Sequence, residues 1–156
     1  MHDEHLDAIY FSGTDPHHSE YLCDHWQIRR FITGFTGSFG ELIITPDHAG
    51  LWTDTRYFLQ AENQLKSTGF TMQKLRVPGA VPSWEWLARN LKPGSKVGFH
   101  AESLPLATFH LFDTALWNAG SVVQIPVLSH SQFVLRFSSL VLSVALRLRG
   151  CGVDRH

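Results

Sequence analysis

The sequence predicts an α/β fold with a mixed sheet flanked by helices. Short apolar runs of strand length alternate along the chain with segments in which apolar residues recur at helical spacing. One pair of apolar runs is joined by only five residues, which favours an antiparallel hairpin inside an otherwise alternating pattern. The 156 residues, 44% of them apolar, suffice for one domain with a substantial core and are few for two.

The first half of the chain predicts three strands and two helices. Ala8 to Phe11 is a buried strand that meets a histidine-rich loop. A helix capped by Ser19 is expected to carry an apolar stripe and to end or bend at Gly34; the stripe is Ile28, Phe31, Ile32 and Phe35. The hairpin joins Leu42–Ile44 to Leu51–Trp52, and Thr53 or Asp54 then caps a helix with Phe58, Ala61 and Leu65 on one side.

The second half continues the alternation. A strand is predicted around Phe70 to Leu75, and a helix begins at Pro82-Ser83 and ends at Lys92-Pro93-Gly94. Lys96–Phe99 is the next strand. A last helix opens at Ser103 and Pro105 with a stripe of Phe109, Phe112 and Leu116, and a last strand covers Val122 to Ile125.

Composition excludes several function classes. The 13 basic and 14 acidic side chains nearly cancel, so no summed positive field attracts nucleic acid or an anionic membrane. The longest uncharged stretch near the C-terminus, residues 137–146, is about half of what a membrane-spanning helix needs. Two distant cysteines and a polar N-terminus predict a reducing, cytoplasmic compartment.

Four segments carry a family resemblance: residues 12–21 (SGTDPHHSEY), 31–40 (FITGFTGSFG), 51–61 (LWTDTRYFLQA) and 96–98 (KVG). Their order and spacing resemble the N-terminal domain shared by Xaa-Pro aminopeptidases, prolidases and creatinases, over about residues 5 to 125. The closest resemblance is to the Xaa-Pro aminopeptidase branch.

The resemblance implies a ribonuclease-H-like α/β domain that precedes a "pita-bread" catalytic domain. In the family that second domain holds two divalent metals, usually manganese, which activate a water to attack the bond before proline. No motif for those metal ligands occurs in this sequence, so the chain itself is expected to bind no cofactor and to be inactive alone. The implied partners are the catalytic domain or a homodimer subunit, and a peptide substrate with proline in second position.

Arg56 is the candidate residue of the substrate cleft. The matching arginine in the family borders that cleft, and a guanidinium binds a carboxylate or carbonyl through two donors. The alternative is a salt bridge from Arg56 to Asp54 or Glu62. The family usually has glycine where Thr55 stands, so the turn is expected to be strained if that position needs a positive φ.

Other polar residues are weaker candidates. His17 and Glu20 are spaced to meet near a helix start, either as loop and cap residues or around an adventitious metal. The dipeptides Asp24-His25 and Asp47-His48 point their side chains in different directions and are poor chelators. Cys23 is predicted to be a buried structural thiol. The five tryptophans are predicted to pack in the core or an interface.

The sequence divides into a family-like domain, residues 1–126, and an atypical tail, residues 127–156. The tail contains no Lys or Glu and is either an extra packed helix, a poorly ordered segment or a non-homologous addition. We expect the chain to be a fragment that stops before the catalytic domain. The leading function is therefore a dimerising and cleft-forming module of a proline-specific aminopeptidase; the alternatives are a stand-alone peptide- or protein-binding module and an independent hydrolase using His17 and Glu20.

Overall fold

The computed structural model describes residues 6–19 and 21–124, and within them six strands form one mixed sheet. The strands are β1 Ala8–Phe11, β2 Glu41–Ile44, β3 Ala49–Thr53, β4 Thr71–Lys74, β5 Lys96–Phe99 and β6 Val122–Gln124. Their order in the sheet is β4-β3-β2-β1-β5-β6. Strand β2 runs antiparallel to both of its neighbours, and the other three pairings are parallel. The predicted α/β fold with a mixed sheet is confirmed.

The helices of this region lie between the strands. They are α1 Ile28–Thr33, α2 Phe58–Gln64, α3 Ser83–Asn90 and α4 Leu106–Asn118. Short 3-10 turns cover Asp24–Trp26, Thr55–Tyr57 and Ala101–Ser103. None of the helices in the described ranges is long and apolar enough to cross a bilayer.

The sheet is covered on both faces, because alternate side chains of each strand belong to different cores. One core joins Ile9, Phe11, Leu42, Ile44 and Leu51 to residues of α1 and α2. The other joins Tyr10, Ile43, Trp52, Val97 and Phe99 to Leu87 of α3 and to Phe112 and Leu116 of α4. The almost continuous apolar composition of β1, β2 and β3 follows from this double burial.

The prediction for the first helix is wrong in its start and in part of its stripe. Helix α1 begins only at Ile28, because Asp15 accepts the Ser19 backbone N–H at 2.8 Å and holds that residue in a turn. Gly34 does end the helix, with φ of 75°. Since the helix stops there, Phe35 enters the core from the following loop, whereas Phe31 is 71% exposed.

Two further differences concern Cys23 and the hairpin. Cys23 is exposed rather than buried, because it precedes the 3-10 turn and not a long helix. Of the tryptophans, for which the sequence predicts packing in the core or an interface, Trp52 is in the core and Trp117 is 79% exposed. Strand β3 begins at Ala49, so the hairpin connection is shorter than predicted and is closed by a 2.8 Å bond from the Thr45 N–H to the His48 carbonyl. Residues 127–156, for which the sequence predicts an atypical tail, lie outside the described residues.

Candidate functional site

The loop from Gly34 to Gly40 is the meeting point of the three longest sequence motifs. Gly13, in the first motif, lies so close to this loop that a Cβ added to it would stand 2.1 Å from the Gly40 carbonyl oxygen. Only glycine permits this approach of two backbones. The geometry therefore brings residues 12–21 against residues 31–40 by direct backbone approach, with the Arg29 guanidinium beside the contact.

Arg29 holds the loop from Gly34 to Gly40 in place by hydrogen bonds. Its guanidinium donates to the Gly40 carbonyl at 2.8 Å and to the Gly37 carbonyl, and it lies 5.6 Å from the centre of the Phe35 ring. Arg29 is only 7% exposed. Burial lowers the pKa of this guanidinium to about 10. It remains charged at neutral pH, and its two charge-assisted hydrogen bonds shape the loop.

The third motif closes the other side of the loop. The Thr53 hydroxyl donates to the Phe39 carbonyl at 2.7 Å, and the hydroxyls of Ser38 and Tyr57 are hydrogen-bonded at 2.7 Å. Further along the same segment, the Gln60 amide donates to the Thr36 hydroxyl at 2.8 Å. Hydrogen bonds thus join the second and third motifs, and the close approach of Gly13 to Gly40 adds the first motif to the same unit.

Arg56, the predicted cleft residue, lies on this unit beside Asp54. The Asp54 carboxylate accepts the Arg56 backbone N–H at 3.1 Å, so it caps the 3-10 turn, and it also accepts the Arg56 guanidinium at 2.9 Å. These bonds, chiefly the side-chain bond from Arg56, hold the pKa of the buried Asp54 carboxyl below its usual value. Of the two salt bridges considered for Arg56, the Asp54 one is formed, whereas Glu62 lies 3.9 Å from Lys74.

A second arginine shares the same carboxylate. The Arg76 guanidinium lies 3.4 Å from Asp54, and both guanidiniums lie against the Phe39 ring, at 5.9 Å for Arg56 and 5.2 Å for Arg76. Arg56 is 53% exposed and Arg76 67% exposed, so both keep donors toward solvent. Arg76 has a left-handed φ of 57°, which is uncommon for a side chain of this size.

Thr55 adopts an ordinary backbone conformation. The non-glycine residues with positive φ in the described ranges are His18, Ser67 and Arg76. Thr55 begins the 3-10 turn capped by Asp54. The turn that holds Arg56 therefore needs no glycine, and threonine introduces no backbone strain there.

A groove of about 540 Å³ opens beside Arg56. Its walls come from the end of β1, the first motif, the 34–40 loop, the start of β2 and the start of α4. The lining residues are Tyr10, Ser12, Gly13, Thr14, His18, Ser19, Ser38, Phe39, Gly40, Glu41, Arg56, Pro105 and Thr108. Its size suits a small ligand or a few residues of a peptide.

Sequence reasoning missed Tyr10 and Glu41, two hydrogen-bonded residues that line the groove. The Tyr10 hydroxyl donates to Glu41 Oε2 at 2.6 Å, and the Ser83 hydroxyl also hydrogen-bonds this carboxyl group. Burial raises the pKa of Glu41, although the two hydroxyls act in the opposite direction. Burial, with the nearby Glu41 carboxyl, also raises the pKa of Tyr10. The available signal was an acidic residue directly before the buried run Leu42-Ile43-Ile44.

The polar residues considered for a metal do not converge in the part of the chain that the structure describes. No group of three His, Cys, Asp or Glu side chains in that part could hold an ion. His17 is exposed, its backbone N–H donates to Asp15 at 2.9 Å, and Glu20 lies outside the described residues. The His48 ring packs against Trp86 with ring centres 4.5 Å apart. The site thus offers hydrogen-bonding and charged groups for a ligand.

Comparison with known proteins gives consistent matches. The Creatinase/Prolidase N-terminal domain family matches residues 1–129. Aminopeptidase P2 of Arabidopsis thaliana is 45% identical over 93 residues, which are 60% of this chain and 13% of that protein. Xaa-Pro aminopeptidase 2 of Homo sapiens is 37% identical over 116 residues, 74% of this chain and 17% of that protein. The chain thus spans less than a fifth of the length of these relatives.

Solved structures match in the same way. The X-prolyl aminopeptidase of Caenorhabditis elegans, described as a cytosolic enzyme with a di-nuclear active site, aligns with a TM-score of 0.75 and 34% identity. The alignment covers 80% of this chain and 20% of that one. The N-terminal domain of the cytoplasmic peptidase PepQ from Mycobacterium tuberculosis aligns with a TM-score of 0.59 and 23% identity, over 86% of this chain and 91% of that one. The described fold therefore corresponds to that of these N-terminal domains.

Proposed function

Because this chain belongs to the creatinase/prolidase N-terminal domain family, we propose that it is the non-catalytic N-terminal module of a Xaa-Pro aminopeptidase-like metallopeptidase. In this role it forms one wall of the substrate cleft and part of a dimer interface. The observation that carries the proposal is the convergence of three sequence motifs on one groove with Arg56 at its wall. The substrate class is a peptide with proline in second position, and the compartment is the cytoplasm.

Arg56 is the residue we assign to substrate binding. Asp54 holds its guanidinium by three side-chain hydrogen bonds, at 3.1, 3.2 and 2.9 Å, so little rotamer freedom remains to be lost on binding. Half of the side chain is exposed, and it lines the groove. A planar guanidinium in that position donates to a peptide carbonyl or carboxylate. Arg56 would thus orient the peptide and take no part in bond breaking.

Hydrolysis itself would belong to a catalytic domain that carries two manganese ions. When bound there, such a metal pair supplies the activated water that attacks the bond before proline. The groups that this chain contributes are donors and acceptors for binding, and we expect no turnover from it alone. Its partners in the assembly would be that catalytic domain or a second copy of the module.

One experiment asks whether the chain is catalytic. The purified 156-residue chain is incubated with an Arg-Pro-Pro peptide and manganese, and release of the N-terminal arginine is followed by chromatography. We expect no release above the metal-only rate. Sustained turnover that is lost with a chelator would refute a non-catalytic role and favour an independent hydrolase.

A second experiment tests the cleft role of Arg56. Residues 1–126 replace the matching N-terminal domain of the C. elegans aminopeptidase, and steady-state kinetics are measured on the same peptide. We expect Arg56→Ala to raise KM by about tenfold, the loss expected for a hydrogen bond to a charged group, with a smaller change in kcat. Arg89→Ala is the matched control, because Arg89 is 62% exposed on α3 and pairs with Glu85.

Light scattering of the purified chain with and without manganese tests the dimer. A dimer in both conditions supports an interface built by this module, and a monomer in both would assign dimerisation to another part of the parent protein. A pulldown from cell lysate with the purified chain tests the alternative. Capture of an unrelated protein, with no binding to aminopeptidase subunits, would favour the stand-alone binding module.

A further inference from the structure

Glu41 is a carboxyl group without a positively charged neighbour in the described structure. The ion pairs of that region within 4.0 Å join Arg56 and Arg76 to Asp54, Lys74 to Glu62, Arg89 to Glu85 and His100 to Glu102. The contacts of Glu41 are the hydroxyls of Tyr10 and Ser83, which are neutral. A half-buried carboxylate is stabilised most by a cation, and Glu41 is partly exposed and lines the groove.

The position of Glu41 is set by strand pairing. It is the first residue of β2, opposite Trp52 of β3, and it shares a sheet face with Ile43 two residues later. That face also carries Tyr10, whose hydroxyl fixes Oε2 at 2.6 Å. The carboxyl group therefore has a fixed position among the residues that line the groove, as does Arg56, which is already paired with Asp54.

We propose that the groove binds the cationic group of a short peptide, a primary ammonium or a guanidinium, through the Glu41 carboxylate held by Tyr10. This inference deepens the proposed function and rests on it only in taking the groove as the peptide cleft. Glu41 supplies the negative charge, and Phe39 and Pro105 supply apolar contact for the rest of the peptide. Arg56 and Glu41 then give the groove two poles of opposite charge, which fix the direction in which a peptide lies.

The test uses the full 156-residue chain and three tripeptides that differ only in charge. Ala-Pro-Ala presents an ammonium group, and N-acetyl-Arg-Pro-Ala presents a guanidinium. N-acetyl-Ala-Pro-Ala presents neither cation. Binding is followed by NMR, with the Glu41 side-chain carboxyl carbon as the reporter. At least one cationic peptide is expected to bind about tenfold more tightly than N-acetyl-Ala-Pro-Ala, the value typical of one charge-assisted bond.

Two carboxyl-to-amide variants separate the site from general charge effects. Glu41→Gln keeps an acceptor for Tyr10 and is expected to abolish the preference for cationic peptides. Glu62→Gln changes a carboxylate that is half exposed on α2 and is expected to leave that preference unchanged. Tyr10→Phe keeps the carboxylate but removes the hydroxyl that fixes Oε2, and it is expected to weaken that preference without abolishing it. The thermal midpoint of each variant shows whether it is folded.

Equal affinity for the acetylated and cationic peptides, or no binding at millimolar concentration, would overturn the inference. Retention of the preference in folded Glu41→Gln would overturn it as well. Because the assay needs neither a metal nor a catalytic domain, these outcomes are independent of the chimera kinetics. A chimera that depends on Arg56, combined with no charge preference in the isolated chain, would leave the proposed function standing and remove this inference alone.

Discussion

Replacing Arg29 by methionine is expected to destabilise the domain by about 2 kcal/mol. The side chain makes two hydrogen bonds from a charged donor, to the carbonyls of Gly37 and Gly40, and together these contribute about 3–6 kcal/mol. The opposing effect is burial of the charge. A pKa lowered from 12.5 to about 10 corresponds to a cost of about 3 kcal/mol, which methionine removes. Loss of the contact with Phe35 adds about 1 kcal/mol.

The measurement is urea-induced unfolding monitored by circular dichroism, with the midpoint of thermal unfolding as a second probe. A loss of about 2 kcal/mol lowers that midpoint by about 4–8 °C in a domain of this size. Arg29→Lys is the informative comparison. Lysine keeps the buried charge, but its single ammonium lacks the fork that reaches both carbonyls, so we expect Arg29→Lys to be at least as destabilising as Arg29→Met.

Two outcomes would refute this reasoning. Wild-type stability in Arg29→Lys would mean that a point charge suffices and that the paired carbonyl contacts contribute little. Wild-type stability in Arg29→Met would mean that the cost of burying the guanidinium equals everything its bonds contribute. In either case the loop from Gly34 to Gly40 would need another source of order.

The other predictions concern the close backbone contact at Gly13, the pH dependence due to His48, and the ion pairs of Asp54 with two arginines. Gly13→Ala is expected to cost about 1–3 kcal/mol in urea unfolding, because its Cβ would overlap the Gly40 carbonyl, and an unchanged free energy would contradict that contact. Burial lowers the pKa of His48, so the folded state binds a proton less readily than the unfolded state. Stability should therefore fall as pH drops below about 6.5. In His48→Phe the thermal midpoint should change less between pH 8 and pH 5 than it does in the wild type. An equal change in both proteins would disprove this prediction. Asp54→Asn keeps the cap to the Arg56 N–H but loses the ion pairs. The free energy of unfolding is expected to fall by only about 1 kcal/mol, because both arginine partners are half exposed. A variant as stable as the wild type would show that these pairs contribute nothing.

Much of the fold could be predicted from local pattern. Strand β5 occupies the predicted residues, and the hairpin and the last helix differ from prediction by a few residues at most. Local composition suffices there, because apolar runs bounded by glycine and proline define a strand whatever it pairs with. The same reasoning failed for Cys23 and Phe31, where a turn made by Asp15 and the stop at Gly34 replaced a long helix.

The candidate site was predicted only in part. Arg56 and its pairing with Asp54 follow from neighbouring residues, since a side chain two positions away can reach the same turn. Tyr10 and Glu41 are 31 residues apart, and Arg29 is 11 residues from Gly40. No spacing rule for helices or strands connects such pairs. Their contacts became visible only when the strand order was known.

The sequence by itself determined the α/β class, the positions of most strands and the family to which the chain belongs, because each of these depends on residue order within short segments. The tertiary structure decided which polar groups lose their water. Arg29 is buried against the carbonyls of Gly37 and Gly40, and the contact of Tyr10 with Glu41 depends on β2 lying antiparallel beside β1. Desolvation is a property of the surroundings in space, and residue identity alone does not specify it.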